Sequence, residues 1–555
     1  TMASRSQQLS QLTDEFADKQ WDIIIVGGGI TGAGTLLMAC KAGLKALLVE
    51  QQDFAWGASS NSSKMVHGGL RYLGSGQYGL TKDAVTERQR LLQELPGLVD
   101  PLQFLMGHYK RQFPGPFIFN TLLTIYDWIG GKKNHQYLAN GISDFYAPGI
   151  TEKNLQGATQ FADAVTDDAR LVLRILLEAK ALGGTTINYL QADSLLHTNE
   201  RISGITLTDQ ITGDKLQQTA KVVVNAAGPW TDELRQQFGA KKVIRPLRGS
   251  HLIVPAWRLP MAYSVSYFHP QDKRPIFAFP WENATVIGTT DLDHAPSLSQ
   301  QPSINQTEID YLLQGINQQF PHANITTDDV ISSYAGIRPV VSKNPDNPSS
   351  KPSDEKREHS IWDDNGLISV AGGKLTTFRL IALDILQAAK PYLPQLQLDK
   401  LQGDLFSSPQ ASSNSANSLT QQQILRLQSC YGSHYHSMIK NSSRKMLRPI
   451  ANTRTSFAEL AWSLQYESVQ HLDDLMLRRS RLGLLQPNGG ADYLPQIKPL
   501  CMQYLGWDEA KWTQEVTRYQ AIIVRHFSLP ERTQQTASAP TPDCNDAELS
   551  AVGER

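Results

Sequence analysis

Cysteine is scarce. Cys40, Cys430, Cys501 and Cys544 are the only four in 555 residues, and no two have C-x-x-C spacing. That argues against an iron–sulfur or zinc module and against a disulfide framework, and it favours a reducing compartment. Net charge is almost absent: 52 Lys and Arg face 53 Asp and Glu, for a balance of -1. The global electrostatic footprint of a nucleic-acid-binding protein is therefore missing. No uncharged apolar run reaches the ~18 residues that a membrane-spanning helix needs. Residues 1–20 hold no apolar core of the kind found in secretory signals. If this chain meets a bilayer, it does so from one side. The remaining composition, 40% hydrophobic and 19% charged, is that of a globular protein. Its length exceeds the ~250–300 residues at which single cores stop growing, so more than one domain is expected.

The first strong pattern begins at Trp21. Ile23 to Val26 form an apolar run that reads as a buried parallel strand. Gly27-Gly28-Gly29-Ile30-Thr31-Gly32 follows with G-x-G-x-x-G spacing and leads into a helical stretch over Ala33 to Ala42. Gly43 ends that stretch, and a second apolar run, Ala46 to Val49, stops at Glu50. The motif alone is weak, but between a strand and a helix, with an acid about 20 residues on, it is specific. Glycines let the backbone approach a pyrophosphate, the helix N-terminus supplies N–H groups and positive dipole, and Glu50 can accept ribose hydroxyls. A dinucleotide is expected here.

No second G-x-G-x-x-G follows a later strand, so a separate nicotinamide domain is not expected. Two other segments repeat the strand–glycine–helix arrangement. Lys221 to Leu234 runs through Ala226-Ala227-Gly228, a small-residue strand end of the sort that flavoproteins use on the adenine side of FAD. Gly366 to Lys390 passes through Gly372-Gly373-Lys374 and offers a second helix N-terminus, suited to charge that develops on a reduced isoalloxazine. Between the first glycine turn and these two lies SSNSSKMVHGGLRYLGSGQYGL, Ser59 to Leu80. It is too polar and glycine-rich for a buried strand and too cationic for an idle linker. Small hydroxyls can solvate phosphate oxygens without crowding them, and an arginine can fork onto a phosphate dianion.

The ordered set Gly27–Gly32, SSKMVHGGLRYL, TDDARLVL, NAAGPW, GSHLIVP, DKRPIFAFPW, GTTD, AGIRP and GGKLTTFR resembles the FAD-dependent glycerol-3-phosphate dehydrogenases. These are members of the D-amino-acid-oxidase-like flavoproteins. The resemblance runs from about Trp21 to Arg379 and returns at His471 to Gly483, in what is similar to that family's helical C-terminal domain. It implies an α/β fold: a Rossmann-like FAD-binding domain, an inserted mixed-sheet substrate domain and a helical C-terminal cap. The expected layout is a flexible N-terminus (1–20), FAD-binding segments over 21–105, 161–245 and 336–395, and a substrate or membrane-facing segment over 106–160. A substrate domain (246–335), the helical domain (396–530) and a disordered tail (531–555) complete it.

The resemblance further implies oxidation of sn-glycerol 3-phosphate to dihydroxyacetone phosphate, with FAD as cofactor, membrane quinone as acceptor and no metal. It places Gly27, Gly29, Ile30, Thr31, Gly32, Glu50 and Gln51 on FAD. Ser59, Ser60, Ser62, His67, Ala192, Ala227, Gly228 and Trp230 join them, as do Gly373, Lys374, Leu375 and Thr376. Arg71, Tyr72 and Lys374 would hold the substrate, and His251 and Arg338 would serve catalysis. Dimers are common in that family, so a homodimer is an open option.

Oxidising a secondary alcohol requires a hydride acceptor and a proton acceptor; FAD supplies the first and the protein the second. His251 is the natural acid–base by its ordinary pKa, while Arg338 more readily polarises the hydroxyl. The identity of the base stays open. Two rivals to the quinone-linked reading stand beside it. A soluble oxidase would reduce oxygen to peroxide, but the oxidases are longer between the glycine–arginine motif and the last strand than Ile337 to Leu367 allows. A non-catalytic flavin scaffold would not need Arg71, His251, Arg338 and Lys374 together.

Two surfaces compete for a peripheral, one-leaflet seat on an anionic lipid surface at the cytoplasmic face. One is Gly107 to His135, an aromatic core flanked by Lys110, Arg111, Lys132 and Lys133; the other is the basic cluster Arg478, Arg479 and Arg481. The first also reads as an ordinary buried helix with solvated ends. Ser349 to Ser360, rich in charge, reads as a solvated loop.

Overall fold

A computed structural model describes residues 2–14, 20–355, 358–408 and 419–530. Its core is a sheet ordered Ser360–Asp364, Leu367–Ala371, Lys215–Asn225, Gln20–Val26, Ala46–Val49, Thr185–Ile187. From Leu367–Ala371 to Thr185–Ile187 the neighbours run parallel. Ile23, Ile24 and Ile25 are fully buried, which is why this strand reads as a continuous apolar run and not as an alternation. Helices Ile30–Lys41, Asp168–Ala181 and Phe378–Ala389 bury one side of the sheet with the Leu36, Leu37, Val172, Ile175 and Ile385 side chains. The antiparallel pair Leu190–Thr198 and Arg201–Asp209 extends the sheet from Lys215–Asn225 and helps enclose a smaller core.

The second sheet is mixed. Its order is Leu292–Asp293, Ile244–Pro255, Ala284–Gly288, Pro275–Trp281, Ser264–Phe268, Val99–Tyr109, Leu155–Thr166, Met65–Val66. Ser332–Val341 pairs with Ile244–Pro255 over ten residues, and Gln136–Ala139 pairs with Leu155–Thr166. Only the junction of Ser264–Phe268 with Val99–Tyr109 is parallel among the described pairs. The helices Gln421–Tyr431, Phe457–Tyr466, Leu494–Leu505 and Glu509–His526 form the C-terminal region. The α/β arrangement expected from the sequence, with a mixed second sheet and a helical end, is the one observed.

The segment boundaries differ. Val99–Tyr109, Leu155–Thr166 and Ser332–Val341 each cross an expected boundary (105, 160 and 335), and all three belong to the second sheet. The chain changes sheets between Val49 and Met65, Thr166 and Thr185, Asn225 and Ile244, and Val341 and Ser360, whereas the strands themselves continue past the motif edges used to place the boundaries.

The N-terminus also differs. Arg5–Thr13 is a helix, opened by a capping box between Ser4 and Gln7. Arg5 is buried, donating to the Asn188 and Tyr189 carbonyls and pairing with Asp209 at 2.7 Å, and Leu12 is buried with the smaller core. These anchors offset the ordering entropy that made the segment look flexible. The tail expected to be disordered lies outside the described residues.

Candidate functional site

The three strand–glycine–helix turns meet at one cavity of about 1420 Å³. At the first turn Gly27 sits at φ 118°, and a Cβ there would lie 2.1 Å from the Ala226 carbonyl oxygen. The two strand ends touch, so only glycine fits. Gly32 is equally constrained: a Cβ would fall 1.8 Å from the Gly27 oxygen. It therefore packs helix Ile30–Lys41 onto its strand and does not line the cavity, unlike Gly27, Gly29, Ile30 and Thr31. Gly29 caps that helix with no side-chain bond, and the Ile30 N–H donates to Ser59 Oγ at 2.9 Å. The remaining N-terminal amides face the cavity end of the helix, where an anion is favoured.

Glu50 ends its strand with both oxygens engaged. The Gly28 N–H donates to one at 2.6 Å and the Gln52 N–H to the other at 2.9 Å. Burial pushes its carboxyl up to about 7. Glu50 and Gln51 line the cavity beside Ala192, Ala227, Gly228 and Trp230. At the third turn Gly373, Lys374, Leu375 and Thr376 line it too, and Thr376 Oγ1 is buried with no hydrogen-bond partner among the described residues. A buried hydroxyl on the wall with nothing to bond is what a polar ligand edge would satisfy. Exposed helix ends, a half-buried acid after the second strand and an unsatisfied hydroxyl on one cavity wall fit FAD.

The Ser59–Leu80 segment crosses the same cavity. Ser59, Ser62, Ser63, Lys64, His67, Arg71 and Tyr72 all line it. Ser60 does not: it is buried, and its carbonyl accepts from Lys64 Nζ at 3.0 Å and from Arg481 at 3.1 Å. Lys64 is wholly buried between the Tyr334 and Trp281 rings, 4.4 and 4.8 Å from their centroids. Burial pushes its ammonium down to about 8, although Asp168, 3.1 Å away, works in the opposite direction. The adjoining short helix Leu70–Gly74 presents Arg71, whose guanidinium donates to the Ser353 carbonyl at 3.0 Å, and Tyr72, whose ring lies 4.1 Å below Lys374 Nζ.

Gly68 is held from beneath. Its N–H donates to Asp163 Oδ1 at 2.9 Å, which also accepts from Arg88 at 2.6 Å and the Tyr126 hydroxyl at 3.1 Å. Burial opposes the Asp163 carboxylate, but His67 and Arg88 overcome that and hold its pKa below the ordinary value.

Arg338 lines the cavity opposite, paired with Asp291 at 2.8 Å. Arg274, which sequence reasoning did not single out, joins it: its guanidinium donates to the Thr289 carbonyl at 3.2 Å, and the Thr289 hydroxyl lies 3.4 Å from Arg338. His251 is absent from the wall. It is buried, stacks on Tyr334 at 4.6 Å, and reaches the cavity only through Ser63, whose Oγ is 2.9 Å from Nε2. Desolvation first, then Lys64 and Arg338, push its pKa well below the ordinary value, so the ring is neutral. The expected charged run Ser349–Ser360 is not merely solvated either, since Ser353, Asp354, Glu355 and Glu358 form part of the wall.

The two membrane candidates separate cleanly. Arg478, Arg479 and Arg481 are buried, paired with Asp53, Asp473, Asp474, Asp167 and Asp168, and so cannot form a lipid-binding surface. Asp473 and Asp474 are neighbours in the sequence, but sequence alone could not show Asp53, Asp167 and Asp168, more than 300 positions away. Helix Pro116–Gly130 is half exposed, with Phe119, Leu123 and Tyr126 inward and Phe117 (84%) and Trp128 (82%) outward. Phe113, just ahead of this helix, is also exposed, and Phe113, Pro114, Ile118 and Leu122 line the cavity. Among the described residues no helix is long and apolar enough to cross a membrane.

Comparison with known proteins agrees with this geometry. The profile described as FAD dependent oxidoreductase matches residues 22–379, and that described as the C-terminal domain of alpha-glycerophosphate oxidase matches 398–512. A protein of Staphylococcus saprophyticus named aerobic glycerol-3-phosphate dehydrogenase is 30% identical over 544 residues, covering 93% of this chain and 97% of that one. A Staphylococcus aureus protein of the same name is 30% identical over 549 residues, with the same coverage. The crystal structure of the glycerol-3-phosphate dehydrogenase from Bacillus halodurans complexed with FAD is similar, at TM-score 0.70 and 26% identity over 94% of this chain and 97% of that one. The L-alpha-glycerophosphate oxidase of Mycoplasma pneumoniae shares the fold, at TM-score 0.53 and 16% identity over 66% of this chain and 94% of that one.

Proposed function

The chain belongs to the FAD-dependent oxidoreductase family, and from that premise we propose that it oxidises sn-glycerol 3-phosphate to dihydroxyacetone phosphate and passes the electrons to membrane quinone. The observation that carries the substrate is the shared cavity, in which a dinucleotide cradle is continuous with Arg71, Tyr72, Lys374, Arg274 and Arg338. Four cations there suit a phosphate dianion and an alcohol that must lose a proton.

When bound, FAD accepts the hydride. Arg71 and Lys374 hold the phosphate, and Tyr72 supports Lys374 through its ring. Arg338, steadied by Asp291, polarises the substrate oxygen. As hydride leaves carbon, the hydroxyl becomes a protonated carbonyl, acidic enough to protonate even a weak base. Ser63 Oγ takes that proton while handing its own to His251 Nε2, which is neutral and within hydrogen-bond reach. His251 thus acts from behind the wall and not on it.

The acceptor reading rests on the apolar mouth. Phe113, Ile118 and Leu122 give an aliphatic and aromatic path from cavity to surface, and the outward face of Phe117 and Trp128 continues it. Lys110, Arg111, Lys132 and Lys133 flank that face and complement anionic head groups, which gives a peripheral seat. Steady-state kinetics of Arg71→Ala test the substrate assignment. The KM for glycerol 3-phosphate should rise about tenfold or more, the lower end for a charged pair because Arg71 is exposed, with little change for glycerol. Equal losses on both alcohols would show that Arg71 does not read phosphate.

A further inference from the structure

Residues Asp474–Arg479 are π-helical, a rare winding that recurs at functional sites. The wide turn sends consecutive Arg478 and Arg479 to one carboxylate. Arg478 Nε reaches Asp53 Oδ2 at 2.6 Å, and Arg479 grips both Asp53 oxygens at 2.7 and 2.8 Å. Asn188 donates to the same carboxylate at 3.0 Å, and the Arg479 guanidinium lies 6.0 Å from the Phe54 ring, which itself packs under Gly28. Two residues on, Arg481 turns to the other end of the same loop. It bonds the Ser60 carbonyl at 3.1 Å and Asp167 at 3.0 Å, and it pairs with Asp168. Asp168 in turn accepts from the Ser62 hydroxyl at 2.6 Å and from Lys64 at 3.1 Å.

The loop between these anchors, Gln51–Lys64, carries Ser59, Ser62 and Ser63 on the cavity wall. Ala55 and Lys64 hold φ of 59° and 60°, left-handed conformations that non-glycine residues keep only where surroundings over-determine them. None of the three arginines lines the cavity, so none is a catalytic residue.

We propose that Arg478, Arg479 and Arg481 are positioning residues for the cofactor: through Asp53 at one end and Ser60 and Asp168 at the other, the C-terminal domain fixes the Gln51–Lys64 loop in the shape that receives FAD. The inference rests on the reading of the cavity as an FAD site. It gives the C-terminal domain a task in cofactor binding although it contributes nothing to the wall itself.

The test is titration of full-length apoprotein with FAD, followed by flavin fluorescence, together with hydrogen exchange over residues 51–64. Arg481→Gln should raise the Kd for FAD at least tenfold and accelerate exchange in the loop before any FAD is added. Arg481→Lys keeps the charge without the fork and should fall between Gln and wild type; it is read in the same way if Arg481→Gln does not fold. Asp508→Ala is the control. This side chain caps helix Glu509–His526 in the same domain by accepting from the Lys511 N–H at 2.8 Å, away from the Arg478–Arg481 contacts with the loop. It should lower the melting temperature yet leave the Kd within twofold. A folded Arg481 variant with wild-type affinity and exchange, or an equal loss of affinity in Asp508→Ala, would overturn the proposal. Wild-type protein that binds no FAD would instead overturn the reading beneath it.

Discussion

Gly68→Ala puts the architecture of the proposed substrate-binding segment to a quantitative test. A Cβ at Gly68 would lie 1.9 Å from the Tyr126 hydroxyl and 2.7 Å from both Arg88 Nη1 and Tyr126 Cζ. To restore even a tight contact the hydroxyl must retreat by about 1 Å. That breaks its bond to Asp163 at 3.1 Å and the one it accepts from Arg88 at 2.8 Å. Losing the hydroxyl's two bonds costs roughly 1.5–3 kcal/mol together, since Arg88 and Asp163 still pair, and overpacking adds about 1–3 kcal/mol, so a total near 2.5–6 kcal/mol is expected. Tyr126→Phe alone should cost about 1.5–3 kcal/mol, because Arg88 and Asp163 still pair. In the double variant the nearest remaining atoms stand at 2.7 Å, and a shift of a few tenths of an ångström then suffices. The double loses the hydroxyl's bonds once where the singles lose them twice, so it should be more stable than the sum of the singles by at least about 1.5–3 kcal/mol. Denaturant unfolding of the four proteins, followed by circular dichroism and flavin fluorescence, gives the cycle. Because Arg71 is three residues on, the KM for glycerol 3-phosphate should rise in Gly68→Ala and recover in part in the double. Additivity within about 0.5 kcal/mol would refute the contact.

Three further outcomes follow from the same geometry. Gly29→Val should yield colourless protein, since its side chain meets Ser59 Oγ at 2.9 Å and fills the pyrophosphate path; a folded, flavin-loaded variant would contradict this. Glu50 titrates near 7 when folded and near 4.5 when unfolded, so the folded apoprotein holds the extra proton and its stability falls as pH rises across that window. Glu50→Gln should accordingly gain up to about 3 kcal/mol relative to wild type between pH 5 and 8, read by denaturant unfolding of apoprotein, and a pH-independent difference would refute it. Replacing Phe117 and Trp128 with Ser should release the protein from anionic vesicles in sedimentation while leaving the KM for glycerol 3-phosphate unchanged.

What the sequence disclosed was mostly local. The Gly27–Gly32 turn, Glu50 and the Gly372-Gly373 turn are each read from a strand, a tight bend and a helix adjacent in the chain, and the structure gathers them at one cavity. The Arg5–Thr13 helix was also written locally, in the Ser4–Gln7 box, but its burial against Asp209 was not. Long-range pairing was what stayed hidden. Lys64 looked like part of a polar loop until Asp168 and two aromatic rings enclosed it, and Arg478 to Arg481 looked like a basic surface until Asp53 neutralised it from 425 residues away. The depth of His251 stayed hidden for a related reason, since a buried strand run does not say whether a side chain reaches a cavity or stops one layer behind it. Arg274 had no local signal beyond its place in a strand-turn motif.

The electron route is decided by stopped-flow reoxidation. Holoenzyme reduced anaerobically with one equivalent of glycerol 3-phosphate is mixed with anionic vesicles carrying quinone, or with oxygenated buffer, and the return of the visible flavin band is timed. The proposed function predicts bleaching by the substrate, then recovery far faster with quinone vesicles than with oxygen, and slower with quinone when salt detaches the protein from the lipid. Rapid recovery in oxygen with stoichiometric peroxide, and no advantage for quinone vesicles, would contradict it.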